Sequence, residues 1–244
     1  MARNAHGPPY AVVVFDCDST LSTIEGIEEL TASDPQIAAL TLEAMEGRVP
    51  LEEVYGRRLE LAGPEAADME RIGALYQSTA ILGAKEVIAA LHYLGKSVRI
   101  VSGGLLPAVR PFGRHLGVPS EHIHAVDLRF DAAGGYVDYD RQSPLARAGG
   151  KLELLRALVP DQDVALVGDG ATDLEAREAC ARFIAFTAVE RRPEVVAGAD
   201  VEVDRADLAA LLPHLLSAAE VQQLATAAGD RFSGLVARIE EGHR

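Results

Sequence analysis

The chain has 244 residues, 48% of them hydrophobic, enough for one sizeable core carrying a modest inserted unit. A formal net charge of −14 repels phosphate backbones and anionic headgroups over most of the surface, which excludes nucleic acid as an expected partner. No uncharged apolar run reaches the roughly 18 residues that cross a bilayer, and Met1 to Pro9 lacks the charged start and apolar run of an export signal, so a soluble protein with no membrane partner is expected.

The first element is the run Ala11-Val12-Val13-Val14-Phe15, continuously apolar and β-branched, which predicts a strand buried on both faces of a parallel sheet. It ends abruptly in Asp16-Cys17-Asp18. Cys17 and the distant Cys180 form no metal-ligand spacing, and a chain of this size needs no disulfide staples, which fits a reduced cytoplasmic setting. From Glu25 to about Ile81 the pattern is helical, interrupted by Pro35, Pro50 and Pro64, and reads as a cap.

Beyond the cap, strand and helix alternate. Lys85 to Leu94 is a helical pattern, and Ser97 to Val101 is a strand followed by a turn at Ser102-Gly103-Gly104. Ile123 to Tyr139 alternates around Gly134-Gly135 and suggests a β-hairpin on the edge of the core. Lys151 to Val159 is helical, Val164 to Val167 is a strand ending in Gly168-Asp169-Gly170, and Asp173 to Ala181 is helical again. Residues after Leu212 are helical and Ala-rich without evident chemistry.

This alternation predicts an α/β fold: a doubly wound, Rossmann-like parallel sheet core with a small helical cap inserted after the first strand. The expected division is 10–23 and 82–216 for the core, 24–81 for the cap and 217–244 for a C-terminal helical tail. In such sheets ligands bind outside the carboxyl ends of the strands, where the three polar turns converge.

Asp16, Asp18, Asp169 and Asp173 would there form a group of carboxylates that repel one another unless a cation neutralises them or some are protonated. Mg²⁺, which prefers oxygen ligands and retained waters, suits such a group. Taken singly, the Asp pair is equally a solvated turn, and GDGATD a tight turn capping the next helix. Ser102 with the amides of Gly103 and Gly104 could cradle phosphate oxygens, or form an ordinary turn. Lys151 stands at a helix start, where the dipole disfavours a cation, which hints at an anionic neighbour.

In order, FDCDSTL, SGG, GGK and VGDGATD resemble the four motifs of the haloacid dehalogenase-like hydrolases, with the similarity running from Val12 to Leu212. Within that superfamily the chain resembles the phosphoserine phosphatases. The resemblance implies a phosphomonoesterase acting on a small phosphorylated metabolite, with Asp16 the nucleophile that becomes an aspartyl phosphate. Asp18 is then the acid for the leaving hydroxyl and the base for water. Asp16, the carbonyl of Asp18 and Asp169 would hold Mg²⁺, supported by Asp173. Ser102, Lys151 and the amides of Cys17, Asp18 and Gly103 would stabilise charge on the transferring group.

Substrate choice would rest on the cap. The resemblance assigns Glu25 to the substrate ammonium and Arg58 to its carboxylate, with Met45 closing over it and Leu51 where relatives carry phenylalanine. Thr172 is a substrate or phosphate contact, or equally a helix N-cap. Arg192 is set aside because the relatives' Gly-rich turn is here Thr187-Ala188-Val189, and the seven histidines form no metal spacing. The alternatives are a phosphatase for phosphoethanolamine or a sugar or thiopentenyl phosphate, and a non-catalytic binding relative.

Overall fold

The structure, a computed structural model, describes residues 8–31, 51–160 and 163–241. Its strands are β1 (Val12–Phe15), β2 (Ser97–Leu105), β3 (Ile123–Val126), β4 (Leu128–Phe130), β5 (Tyr136–Tyr139), β6 (Val164–Gly168), β7 (Arg182–Phe186) and β8 (Val201–Val203). Six of them form one sheet in the order β3-β2-β1-β6-β7-β8, parallel throughout. β1 lies inside it, with Val12 opposite Ser97 on one side and Val164 on the other, and all four of its residues are buried. That is why its sequence is uninterruptedly apolar instead of alternating.

The chain runs outward from β1 through β2 to β3, returns to the far side of β1 as β6, and runs outward again to β8. The reversal between β1 and β6 is a switch point, so the crevice beyond their carboxyl ends is open to a ligand. Asp16 and Asp169 are the residues that follow those two ends.

Two expectations need correction. Ser102-Gly103-Gly104 is not a turn: β2 continues through it to Leu105, which pairs with Val126 after a register shift beyond Val101. Such an irregularity kinks a strand without ending it, so glycine here marks a bend and not a stop. Ile123–Val126 is not a hairpin arm but the edge strand parallel to β2, and only β4 and β5 pair antiparallel. Alternation identifies a half-buried strand but not its partner.

The helices are α1 (Glu28–Thr31), α2 (Leu51–Ala62), α3 (Ala66–Ser78), α4 (Ala84–Tyr93), α5 (Leu106–Leu116), α6 (Gly150–Leu158), α7 (Ala171–Ala176), α8 (Pro193–Gly198), α9 (Leu212–Leu215), α10 (Ala218–Ala225) and α11 (Ser233–Glu241). α7 stops at Ala176 and tightens into a 3₁₀ turn, short of the expected end at Ala181. Among the described residues, no helix is long and apolar enough to cross a membrane.

The segment inserted after β1 contributes α1 to α3, with Pro64 separating α2 from α3, while Pro35 and Pro50 lie outside the described residues. α3 buries Met69, Ile72 and Tyr76, and the Tyr76 ring stacks on Phe112 of α5 at 5.4 Å between centroids. Burying each such side chain contributes about 1.5–3 kcal/mol, so α3 is held firmly to the sheet layer. The tail is also docked: Leu224, Phe232, Leu235 and Ile239 are buried in the same core, and Phe232 meets Tyr93 of α4 at 5.2 Å.

Candidate active site

The floor of the crevice is built from two strand ends and one helix. Asp16, Asp169 and Asp173 each place a carboxylate oxygen within 4.8 Å of the others, and all three are buried. Asp173 is in the first turn of α7, where it accepts the Gly170 amide at 3.1 Å, so the capping role read from GDGATD and membership of the cluster hold together. Gly168 makes room for it: a Cβ there would lie 2.2 Å from the Asp173 carboxyl carbon.

Lys151, second residue of α6, is buried with its Nζ 2.6 Å from Asp173 Oδ1 and 3.2 Å from Asp16 Oδ2. The cation at the wrong end of a helix dipole therefore has its anionic neighbours. Burial alone would lower its pKa, but Asp16 and Asp173 hold the ammonium well above its ordinary value, and it stays charged. Asp169 accepts from Thr20 Oγ1 at 3.1 Å and from the Arg192 guanidinium, which also reaches the Asp169 carbonyl oxygen at 3.2 Å.

These residues fit a divalent cation. Burial and the Asp16 charge push the Asp169 carboxyl up to about 6, in spite of Arg192 and Thr20, and burial raises that of Asp173 against the pull of Lys151. Raised carboxylates signal a local deficit of positive charge: among the described residues, the ion pairs of Asp16, Asp169 and Asp173 are with Lys151 and Arg192. Hard oxygen donors in a buried group are the ligands such an ion takes.

Asp18 turns away from this cluster. Its Oδ1 accepts the Gly26 amide at 2.7 Å and the Tyr76 hydroxyl at 2.5 Å, and its Oδ2 accepts the Ser102 hydroxyl at 3.3 Å. Burial, then the nearby Asp16 charge, raise its carboxyl to about 6, with the three donors opposing. Two carboxylates two residues apart thus have different surroundings, the condition for an acid–base division of labour. The Cys17 amide donates to Asp16 Oδ1 at 2.8 Å, and burial pushes the Cys17 thiol well up, which removes it as a nucleophile.

Above the floor is a cleft of about 220 Å³ whose walls include Glu25, Ile27, Arg58, Gly103, Thr172 and Arg192. Glu25 accepts from Ser19 Oγ at 2.7 Å, and burial and the Asp18 charge raise its carboxyl to about 8. Arg58 is part-buried, which lowers its pKa, and its Nε has no hydrogen-bond partner among the described residues. Thr172 lines the cleft from inside α7, whose N-cap is Gly170, so the N-cap reading of Thr172 is corrected. Met45 lies outside the described residues, as does the side chain of Leu51, the first residue of α2.

The structure also brings in residues that the sequence did not single out. Tyr76 reaches Asp18 across 58 positions, Tyr55 of α2 donates to the Gly103 carbonyl at 3.1 Å, and Thr20 donates to Asp169. Arg192, set aside for its altered preceding turn, is at the site because Pro193 starts α8 directly beside it.

Sequence comparison agrees with this geometry. The family model for haloacid dehalogenase-like hydrolases matches residues 10–180. A chloroplastic phosphoserine phosphatase of Arabidopsis thaliana is 34% identical over 196 residues, 77% of this chain and 66% of that protein, so the chain spans just under two thirds of that relative's length. The Drosophila melanogaster phosphoserine phosphatase is 34% identical over 75% of this chain and 71% of its own. A solved phosphoserine phosphatase carrying an analogue of its phospho-aspartyl intermediate superposes with a TM-score of 0.70 at 26% identity, over 85% of this chain and all of that one. A family model that spans most of the chain, and a relative one third identical over nearly three quarters of its own length, establish that the chain belongs to the haloacid dehalogenase-like hydrolases.

Proposed function

We propose that the protein is a magnesium-dependent phosphatase that converts O-phosphoserine to serine and phosphate through a covalent aspartyl phosphate. The observation that carries this is a cleft with a carboxylate and Lys151 floor, walled by Glu25 and by an Arg58 whose Nε has no partner among the described residues. An ammonium at Glu25, a carboxylate at Arg58 and a phosphate over Asp16 describe a phosphorylated amino acid. The named activity of the two relatives, from plant and fly, supports the same substrate.

Asp16, Asp169 and Asp173, with the Asp18 carbonyl, would hold Mg²⁺, which when bound supplies a Lewis acid for the phosphate oxygens and neutralises the carboxylates. An Asp16 oxygen attacks phosphorus, the bond from phosphorus to the serine oxygen breaks, and Asp18 delivers its proton to that oxygen. Asp18, now a carboxylate, then takes a proton from water as the water oxygen attacks phosphorus, and phosphate leaves Asp16. Lys151, Ser102 and the Cys17 and Gly103 amides oppose the negative charge on the transferring oxygens. Arg192, adjoining Asp169, holds that carboxylate in place.

We assign 10–23 and 82–216 to the catalytic core, 24–81 to a substrate-selecting cap and 217–244 to a tail, and place the protein in the cytoplasm, where the buried Cys17 would stay a reduced thiol. The test is a panel of phosphomonoesters with purified protein and Mg²⁺. O-phosphoserine leads it, Asp16→Asn lowers turnover by about 10³-fold or more, and fluoroberyllate is found on Asp16. A panel led by a phosphate ester without a carboxylate, such as phosphoethanolamine, would overturn the substrate assignment.

A further inference from the structure

Asp18 must do two things with one carboxyl group, and its two oxygens are not equivalent. Oδ1 is saturated by two donors, the Gly26 amide at 2.7 Å and the Tyr76 hydroxyl at 2.5 Å. Among the described residues Oδ2 accepts only the Ser102 hydroxyl, at 3.3 Å, and Asp18 and Ser102 both line the cleft. An oxygen that already accepts two hydrogen bonds has no lone pair left for a proton, whereas its partner has one.

Tyr76 is well placed to impose this asymmetry. It is fully buried, it belongs to α3 in the segment inserted after β1, and its ring is clamped on Phe112 at 5.4 Å with 13° between planes. The approach to Asp18 is shaped from the other side as well. A Cβ at Gly26 would lie 2.1 Å from the Tyr76 hydroxyl, so the bare glycine admits the phenol while its own amide meets the same carboxylate oxygen.

We infer that Tyr76 is a positioning residue for proton transfer: with the Gly26 amide it pins Oδ1 of Asp18, so that Oδ2 is the atom that gives the proton to the leaving oxygen. This rests on the phosphatase reading above, in which Asp18 is the acid. It has a kinetic signature, because an alkoxide such as that of serine must be protonated as it leaves, whereas p-nitrophenolate leaves without help. A loose Asp18 therefore slows the first reaction and spares the second.

The experiment measures the first chemical step in single turnovers, as serine release from O-phosphoserine and as the burst of p-nitrophenolate from p-nitrophenyl phosphate, for the full chain with Mg²⁺. In Tyr76→Phe, which keeps the ring stack, we expect serine release to slow by about 10- to 100-fold, a part of what general acid catalysis supplies, with the nitrophenolate burst and both KM values within about threefold. Gly26→Ala, which displaces the hydroxyl while leaving Tyr76 in the sequence, should show the same selectivity. Equal losses on the two substrates, or an unchanged rate of serine release, would overturn the positioning role while leaving the phosphatase intact. A wild-type protein that releases neither serine nor nitrophenolate would instead bring down the phosphatase reading, and this inference with it.

Discussion

Arg58 and Glu25 are the side chains on which the substrate assignment turns. A part-buried guanidinium whose Nε has no partner among the described residues gains about 1.5–3 kcal/mol from each charge-assisted hydrogen bond to a carboxylate, and a two-point pair more. Arg58→Ala should therefore lower kcat/KM for O-phosphoserine by roughly 10²-fold and leave p-nitrophenyl phosphate within about threefold; equal losses would show that Arg58 does not read the amino-acid part. For Glu25 the sign follows from its surroundings. Burial and the Asp18 charge raise its pKa to about 8, so below that pH the free carboxyl holds a proton that a substrate ammonium must displace. KM for O-phosphoserine should rise as pH falls through an inflection at or below 8, since a bound cation relaxes the contributions of Asp16 and Asp169. Glu25→Gln should abolish that slope, as read from KM between about pH 6 and 9. Asp16 and Asp169 were legible in the sequence because each stands where a strand-like apolar run stops, Asp173 because it follows in GDGATD, and Lys151 because a cation at a helix start calls for an anion. Tyr76 and Tyr55 were not, since an aromatic on a helix reads as core, and only folding brings them to Asp18 and to Gly103.

Strand identity was easier to read than strand partnership. β1 and β6 announce themselves by length and β-branching, whereas Ile123–Val126 shows the same alternation whether it joins an edge in parallel or folds back as a hairpin. The glycines of β2 misled for a related reason: turn chemistry signals a bend, and at the end of a parallel strand the bend is absorbed without leaving the sheet. The tail helices were visible as helices, but not as part of the core. Besides their buried apolar side chains, they are tied by an ion pair between Lys96, just before β2, and Glu220 in the first turn of α10, at 2.5 Å, with the Lys96 ammonium also 2.9 Å from the Tyr10 carbonyl. Lys96 is buried and Glu220 partly so, which places the pair between exposed pairs worth under 1 kcal/mol and fully buried ones whose loss costs 3–5. Lys96→Met should cost about 2 kcal/mol in urea unfolding at pH 7. Against the desolvation that would raise it, hydrogen bonds from Lys96 and Ser217 hold the Glu220 carboxyl below its usual value. Its contribution is therefore present above the unfolded-state pKa and lost as pH falls through the folded one, so the gap between variant and parent should narrow below about pH 4. An unchanged gap would assign the loss to packing alone.

At the scale of the whole molecule, the charge balance suits a divalent ion. The chain carries a net charge of −14, and at its switch point it gathers Asp16, Asp169 and Asp173, with Asp18 and Glu25 near them, beside Lys151 and Arg192. Such an excess of buried carboxyl groups over cations is one that a divalent ion offsets, and an ion that binds only the folded chain stabilises it by mass action. At a hundredfold excess over its dissociation constant the gain is about 2.7 kcal/mol, which for a chain of this size raises Tm by roughly 5–10 °C. Mg²⁺ titrated into chelator-treated protein should show that rise in calorimetry, in the absence of any substrate. Asp169→Asn separates the ion from other salt effects, because it removes one desolvated charge from the cluster while the Asn carbonyl can still accept from Thr20. Without Mg²⁺ its Tm should equal or slightly exceed that of the parent, since repulsion with Asp16 is relieved and the half-exposed Arg192 can be solvated. With Mg²⁺ the increment should be absent. The same rise in variant and parent would mean that the ion acts elsewhere on the acidic surface, and that the carboxylates balance themselves by holding protons.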